Sequence, residues 1–129
     1  MNQIDNTTAA GIQAKGKTAP RVTLAGIESC IIDEFYFTAE QGYQRSNEDQ
    51  GIPADAYAKL KLLTFCVLVL RNGFTVVGQS ACVSRDNFDA DKGKKIARAN
   101  AAQKIWAMEG YLLQQRLHDQ ASMLPMTGG

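Results

Sequence analysis

The sequence is poor in the residues that do covalent chemistry. One histidine, His118, is present among 129 residues. It lies beyond the apolar part of the last helical pattern, where solvation is expected. A Ser-His-Asp or Cys-His arrangement therefore has nothing to be built around, and HExxH, P-loop and GxGxxG patterns are missing. Catalysis is not expected, nor is a metal or a cofactor. The three cysteines, Cys30, Cys66 and Cys82, are odd in number and lack metal-ligand spacing. Buried free thiols in a reducing cytosol are the expectation.

Charge of one sign is also lacking. Fourteen Lys and Arg against thirteen Asp and Glu leave a formal charge of +1, so no global field points to nucleic acid or membrane. Long apolar runs are missing too. Leu62–Leu70 is about half of the roughly 20 residues needed to span a bilayer, and Arg71 follows it. The N-terminal stretch has no signal-like apolar region, which gives cytosolic residence as the expectation. Length and composition fit one domain with a modest core.

The run LLTFCVLVLRNGFTVVGQSACV, Leu62–Val83, organises the rest. Asn72-Gly73 between two apolar stretches signals a two-residue hairpin turn with positive φ at both residues. Such a turn pairs Arg71 with Phe74, Val69 with Val76, Val67 with Gly78, Phe65 with Ser80 and Leu63 with Cys82. This places Cys66 and Cys82 on opposite faces, where they cannot form a disulfide. Neither face is polar near the turn, so one face needs the helices and the other a partner subunit. A two-stranded ribbon alone is marginal.

Residues 1–20 carry no apolar period and read as a flexible tail. Thr23 is a candidate N-cap for a helix over Leu24–Phe35, with a stripe of Leu24, Ile27, Ile31 and Phe35. Phe35, Tyr36 and Phe37 either plug the end of the sheet or form a stacking wall for a flat ligand. Ser46–Asp55 reads as a surface loop and Ala54–Lys61 as a short turn of helix. Asp86, Asn87 or Asp89 can cap a final helix over Ala90–Leu117. Its first turns hold Lys92, Lys94, Lys95 and Arg98, against the helix dipole. This suggests either a nearby anion or a solvated face. The loose tail 118–129 ends in LPMTGG, similar to a sortase pattern or a labelling tag.

Binding has better support than catalysis. Asn100, among alanines on a closely packed helix, either bonds a neighbouring backbone or points into a site. Arg71 and Phe74 put a cation and a flat ring beside the turn. With Lys95, Arg98 and Lys104 they suit a phosphate-bearing ligand with an aromatic base.

Two resemblances bear on this. KGKKIARANAAQKIW, Lys92–Trp106, is similar to the final helix of double-stranded RNA-binding domains, whose lysines meet phosphates across a groove. That fold wants three strands, where two are clear here, and the long polar segment before the hairpin departs from it. The wider match runs from Arg21 to Leu117. It rests on PRVT (Pro20–Thr23), YFTAEQG (Tyr36–Gly42), the hairpin run, NFDADKGKKIARANA (Asn87–Ala101) and QKIWAMEGYLL (Gln103–Leu113). These resemble a small bacteriophage protein family known as the gene 49/gene 66 family.

That family is in turn similar to the first group of Thoeris anti-defence proteins, phage sponges for cyclic ADP-ribose signals made by bacterial TIR enzymes. The resemblance implies an α+β homo-oligomer, a dimer or an assembly of dimers such as a hexamer. It also implies non-covalent binding of a small-molecule nucleotide signal at subunit boundaries, without catalysis, in the cytoplasm of the infected host. On motif positions, the residues with fitting chemistry are Arg21, Arg71, Phe74, Asn87, Phe88, Arg98, Asn100 and Lys104. The expected architecture is an N-terminal helix, a central antiparallel hairpin or sheet, and a long C-terminal helix packed on it, within one domain over residues 21–117. A double-stranded nucleic-acid binder, a phage protein that binds a host protein and a structural phage component are the alternatives.

Overall fold

The computed structural model describes residues 19–47 and 51–123. The chain runs α1 (Leu24–Cys30), β1 (Ile31–Thr38), α2 (Ala39–Ser46), α3 (Ala54–Leu60), β2 (Leu63–Leu70), β3 (Thr75–Ala81) and α4 (Ala90–Met123), with a 3-10 turn at Arg85–Asn87. The strands form an antiparallel sheet in the order β1-β2-β3, and α4 packs on it. This is the expected α+β architecture with one strand more than the hairpin announced.

The added strand corrects the first helix. Thr23 caps α1 as anticipated, its Oγ1 accepting from the Gly26 N–H at 3.0 Å. The helix then stops at Cys30 rather than Phe35. Two β-branched residues and an aromatic run favour a pleated surface, and pairing with β2 overrides the helical stripe beyond Ile27. Thr38 ends β1 and starts α2 through a capping box with Gln41. The short helix expected at Ala54–Lys61 is α3.

The hairpin turn differs from the expected one. Leu70 N–H donates to Phe74 O at 2.8 Å, and Gly73 N–H to Leu70 O at 2.8 Å. The loop is therefore three residues, Arg71-Asn72-Gly73. Among the described residues only Gly73 has positive φ, 92°, the geometry of a turn closed by a glycine bulge. Asn72 instead accepts the Phe74 N–H on its side chain at 3.0 Å. The register slips by one, so that Leu68 faces Val76 and Cys66 faces Gly78. A one-residue slip exchanges faces. Cys82 now shares the face of Cys66, but its N–H bonds Leu62 O. That is four residues along the strand, or about 13 Å, and all three thiols are free.

The slip sorts the sheet into two unlike faces. Thr64, Cys66, Leu68, Leu70 and Val76 are buried against the stripe of α4 formed by the small residues Gly93, Ala97 and Ala101 and, after them, Ile105. At Gly78 the helix backbone sits on the strand. A Cβ there would come within 2.1 Å of Ala97 O and 2.2 Å of Ala101 N. The other face carries Phe35, Phe37, Phe65, Val67 and Val77, partly or largely exposed. Among the described elements α2 touches it, where Gly42 lies against the Phe37 ring. The Phe35–Phe37 cluster is thus divided. Tyr36 lies on the helix face, and the two phenylalanines lie on the open one, neither as an end plug.

Helix α4 continues to Met123, past Leu117 and into the stretch expected to be loose. The LPMTGG motif and residues 1–18 of the expected N-terminal tail lie outside the described residues. No helix among the described residues is long and apolar enough to cross a membrane.

Candidate functional site

The eight candidate residues do not converge on one place. Arg98 is committed within the chain. Its guanidinium donates to Glu28 at 2.8 and 3.0 Å and to Glu34 at 3.1 and 3.2 Å, clamping α4 to α1 and β1. Two carboxylates on one cation leave the cluster net negative, which does not suit a phosphate. Both Glu28 and Glu34 are held below their usual pKa, first by hydrogen bonds from Arg98. Tyr36, desolvated and bonded to Glu34 at 2.6 Å, is pushed upward. Asn100 takes the internal option: its Nδ2 donates to Gln79 O at 2.7 Å, tying α4 to the edge strand.

Arg71 and Phe74 are exposed at the hairpin tip. Phe74 lines a groove of about 440 Å³ with Asn72, Met108, Tyr111 and Leu112. Lys104 is exposed one helical turn before Met108. Arg21 is half-buried ahead of α1 and is not among the residues lining these cavities.

Asn87 and Phe88 lie elsewhere, in the link from β3 to α4, and the backbone there is locally determined. Ser84 Oγ accepts from the Asp86 N–H at 3.3 Å, and Phe88 N–H closes the 3-10 turn on Arg85 O at 3.2 Å. Immediately afterwards Asp89 Oδ1 accepts from the N–H groups of Asp91 and Lys92 at 3.0 and 3.2 Å. Phe88 is thus held between two capped turns. Of the three capping candidates, Asp89 is the one used. Its carboxylate is also an anion at the start of α4, beside the lysines there.

Phe88 borders two cavities. One, of about 270 Å³, is lined by Asn87, Phe88, Lys92 and Ile96 together with the end of β3. The other, of about 450 Å³, is lined by Tyr57, Lys61, Leu62, Arg85 and Phe88. Lys61 Nζ lies 5.4 Å from the Tyr57 ring centroid. One further aromatic ring, three cations, the Asp89 carboxylate and an amide gather around the clamped phenylalanine. That set can stack a flat base and hold separated phosphates. The larger space between α2 and α3, about 600 Å³, offers Arg45 and Tyr57 among amides, with a single cation.

Tyr57, Lys61 and Arg85 were not among the residues expected from sequence. A signal existed for the first two: they sit four apart on the short helix, hence on one side of it. Nothing in the sequence placed that helix beside Phe88.

The comparisons with known proteins agree with the phage resemblance. A family model described as the phage protein (N4 Gp49/phage Sf6 gene 66) family matches residues 22–117. No curated protein and no solved structure matches the chain. With the described fold lying almost entirely inside the matched span, the chain belongs to the phage protein (N4 Gp49/phage Sf6 gene 66) family.

Proposed function

We propose that this phage protein binds and sequesters a cyclic ADP-ribose-type or other cyclic nucleotide immune signal in the host cytoplasm, without cleaving it. The observation that carries the reading is the shared position of Phe88 between two cavities, with Lys92 on one side and Lys61 and Arg85 on the other. A purine needs a ring to stack on, and paired phosphates need cations that are not already neutralised. Arg98 fails that requirement; among the described residues these three enter no salt bridge. The open apolar sheet face supports assembly as a homo-oligomer, a dimer or an assembly of dimers such as a hexamer.

Calorimetry with cyclic ADP-ribose isomers and cyclic dinucleotides tests this. Binding is expected at micromolar protein, with intact ligand released on heating. Phe88→Ala is expected to weaken it roughly tenfold to a hundredfold, the worth of one stacked base, with the fold retained. Absence of heat with every ligand removes the proposal for these compounds.

One observation favours a second reading. The third strand supplies the three-stranded antiparallel sheet between a first and a last helix that the double-stranded RNA resemblance wants, with α2 and α3 inserted between β1 and β2 as a departure from it. Lys92, Lys94 and Lys95 are exposed at the start of α4. Such a binder loses affinity steeply between low and moderate salt as counterions are released. A small-ligand sponge is expected to be far less salt-sensitive.

A further inference from the structure

The two edges of the sheet are built differently. Natural sheets blunt an open edge with charges, bulges or prolines, because its unpaired N–H and C=O groups otherwise recruit another strand. Strand β1 follows this rule. It carries Asp33 and Glu34, and its register with β2 shifts between Ile31 and Asp33. Strand β3 does not. Its seven residues, TVVGQSA, include no charge and no proline, and its pairing with β2 is unbroken from Thr75 to Ala81. β2 takes one edge of β3 and α4 takes one face. No described strand takes the other edge.

Backbone hydrogen bonds fix which groups face outward. Phe74 O accepts from the Leu70 N–H, and the Cys82 N–H donates to Leu62 O. Bonded pairs alternate along an antiparallel ladder, so Phe74, Val76, Gly78, Ser80 and Cys82 turn their backbone groups to β2. Thr75, Val77, Gln79 and Ala81 turn theirs away, and all four are exposed.

The charge beside that edge is of one sign. On α4 the row Lys92, Ile96, Asn100 and Lys104, spaced by four, forms one ridge. Asn100 sets the ridge over the edge through its bond to Gln79 O, and Lys92 and Ile96 line a cavity with Ser80 and Ala81. Both lysines are exposed, and neither enters a salt bridge among the described residues. Asp89, at the same end, has its carboxylate on the N–H groups of Asp91 and Lys92. On the other side of α4, by contrast, Arg98 is paired with Glu28 and Glu34.

We propose that β3 accepts an extended acidic segment of a partner protein as a fourth strand. Successive side chains of an added strand point to opposite faces. On the helix side they meet Lys92 and Lys104 and suit Asp or Glu. On the open side they continue the apolar surface of Val77, 39% exposed, and suit Val or Ile. The fitting segment therefore alternates acidic and apolar residues. A second copy of β3 does not meet this description. Paired in either direction, it sets lysine beside lysine, and like charges oppose the pairing.

Fluorescence anisotropy of a labelled peptide that alternates valine and glutamate, titrated with the full chain, tests the proposal. Saturable binding is expected. The same peptide with lysine for glutamate, or with N-methylated valines that cannot donate to the edge, is expected not to bind. Val77→Pro removes an outward N–H and no bond to β2, so the fold is retained while affinity falls about tenfold. Lys92→Glu/Lys104→Glu is expected to invert the preference between the glutamate and lysine peptides. Hydrogen exchange at Thr75, Val77, Gln79 and Ala81 is expected to be fast in the free chain and slowed by the glutamate peptide. Three results would each overturn the proposal. One is no binding of that peptide. Another is equal binding of its N-methylated form, which marks a general polyanion site open to nucleic acid. The third is slow exchange at these amides in the free chain, which marks an edge already occupied.

Discussion

On one side of the sheet, Cys66, Leu68 and Val76 lie under α4, with Leu68 0% exposed. On the other, Phe35 and Val77 remain 54% and 39% exposed, although they are as apolar as their counterparts. The difference lies in what each face meets. The helix side meets a stripe of glycine and alanine on α4, so two backbones can close to contact at Gly78. Among the described elements the open side meets the edge of α2. Apolar composition makes a face able to bury itself. Complementary small residues on a second element decide whether it does so within the same chain.

Three substitutions break or sharpen that contrast. The largest effect is expected at Gly78. A valine there drives its side chain into the Ala97 and Ala101 backbone, and the helix must lift from the sheet. A loss above about 3 kcal/mol is expected, read by urea denaturation. Next, Leu68→Ala empties a site in the fully covered core and is expected to cost about 2–5 kcal/mol. Phe35→Ala on the open face is expected to cost below about 1 kcal/mol in the isolated chain, while reducing assembly. Equal losses from these two would mean that the faces are not energetically distinct.

The smallest effect is expected from Arg98→Ala, which removes the clamp holding α1 and β1 beside α4. The side chains of Arg98, Glu28 and Glu34 are 26%, 46% and 38% exposed, so solvent screening keeps the loss near or below about 1 kcal/mol. Its pH dependence is the sharper test. Glu28 and Glu34 are more acidic folded than their ordinary value of 4.5, so the unfolded chain binds more protons in that range. The clamp's contribution is fully present above pH 4.5 and is lost as pH falls through the lowered folded values. In Arg98→Ala that part of the acid slope is expected to flatten. An unchanged slope would show that the two carboxylates gain nothing from the arginine.

Much of the fold was legible because it is locally encoded. Thr23 and Asp89 are helix caps by residue type and spacing, and the alternating period of Leu62–Ala81 specifies paired strands. The long helix follows from its stripe of Ala97, Ala101 and Ile105. The failures have one cause in common. Ile31–Phe35 satisfies a helical stripe and a strand pattern alike, and only β2 beside it chooses. Asn72-Gly73 permits a two-residue turn, yet a three-residue loop wins because it places Gly78, the one strand position without a Cβ, beneath α4.

The candidate site divides in the same way. Asn87 and Phe88 came from a motif and do line a cavity. Arg98 and Asn100 had suitable chemistry but are spent on Glu28, Glu34 and Gln79. Tyr57, Lys61 and Arg85 became candidates only when two separate segments were seen to meet at Phe88.

By itself the sequence determined the class of fold, the capped starts of α1 and α4, the presence of the hairpin and the membership of a phage family. Each is written in short-range periodicity, residue type or extended similarity. Tertiary structure alone decided the third strand, the register, the covered face and which cations remain unpaired. Those depend on contacts between residues far apart in the chain, where close approach of backbones and competition for charge partners outweigh local preference.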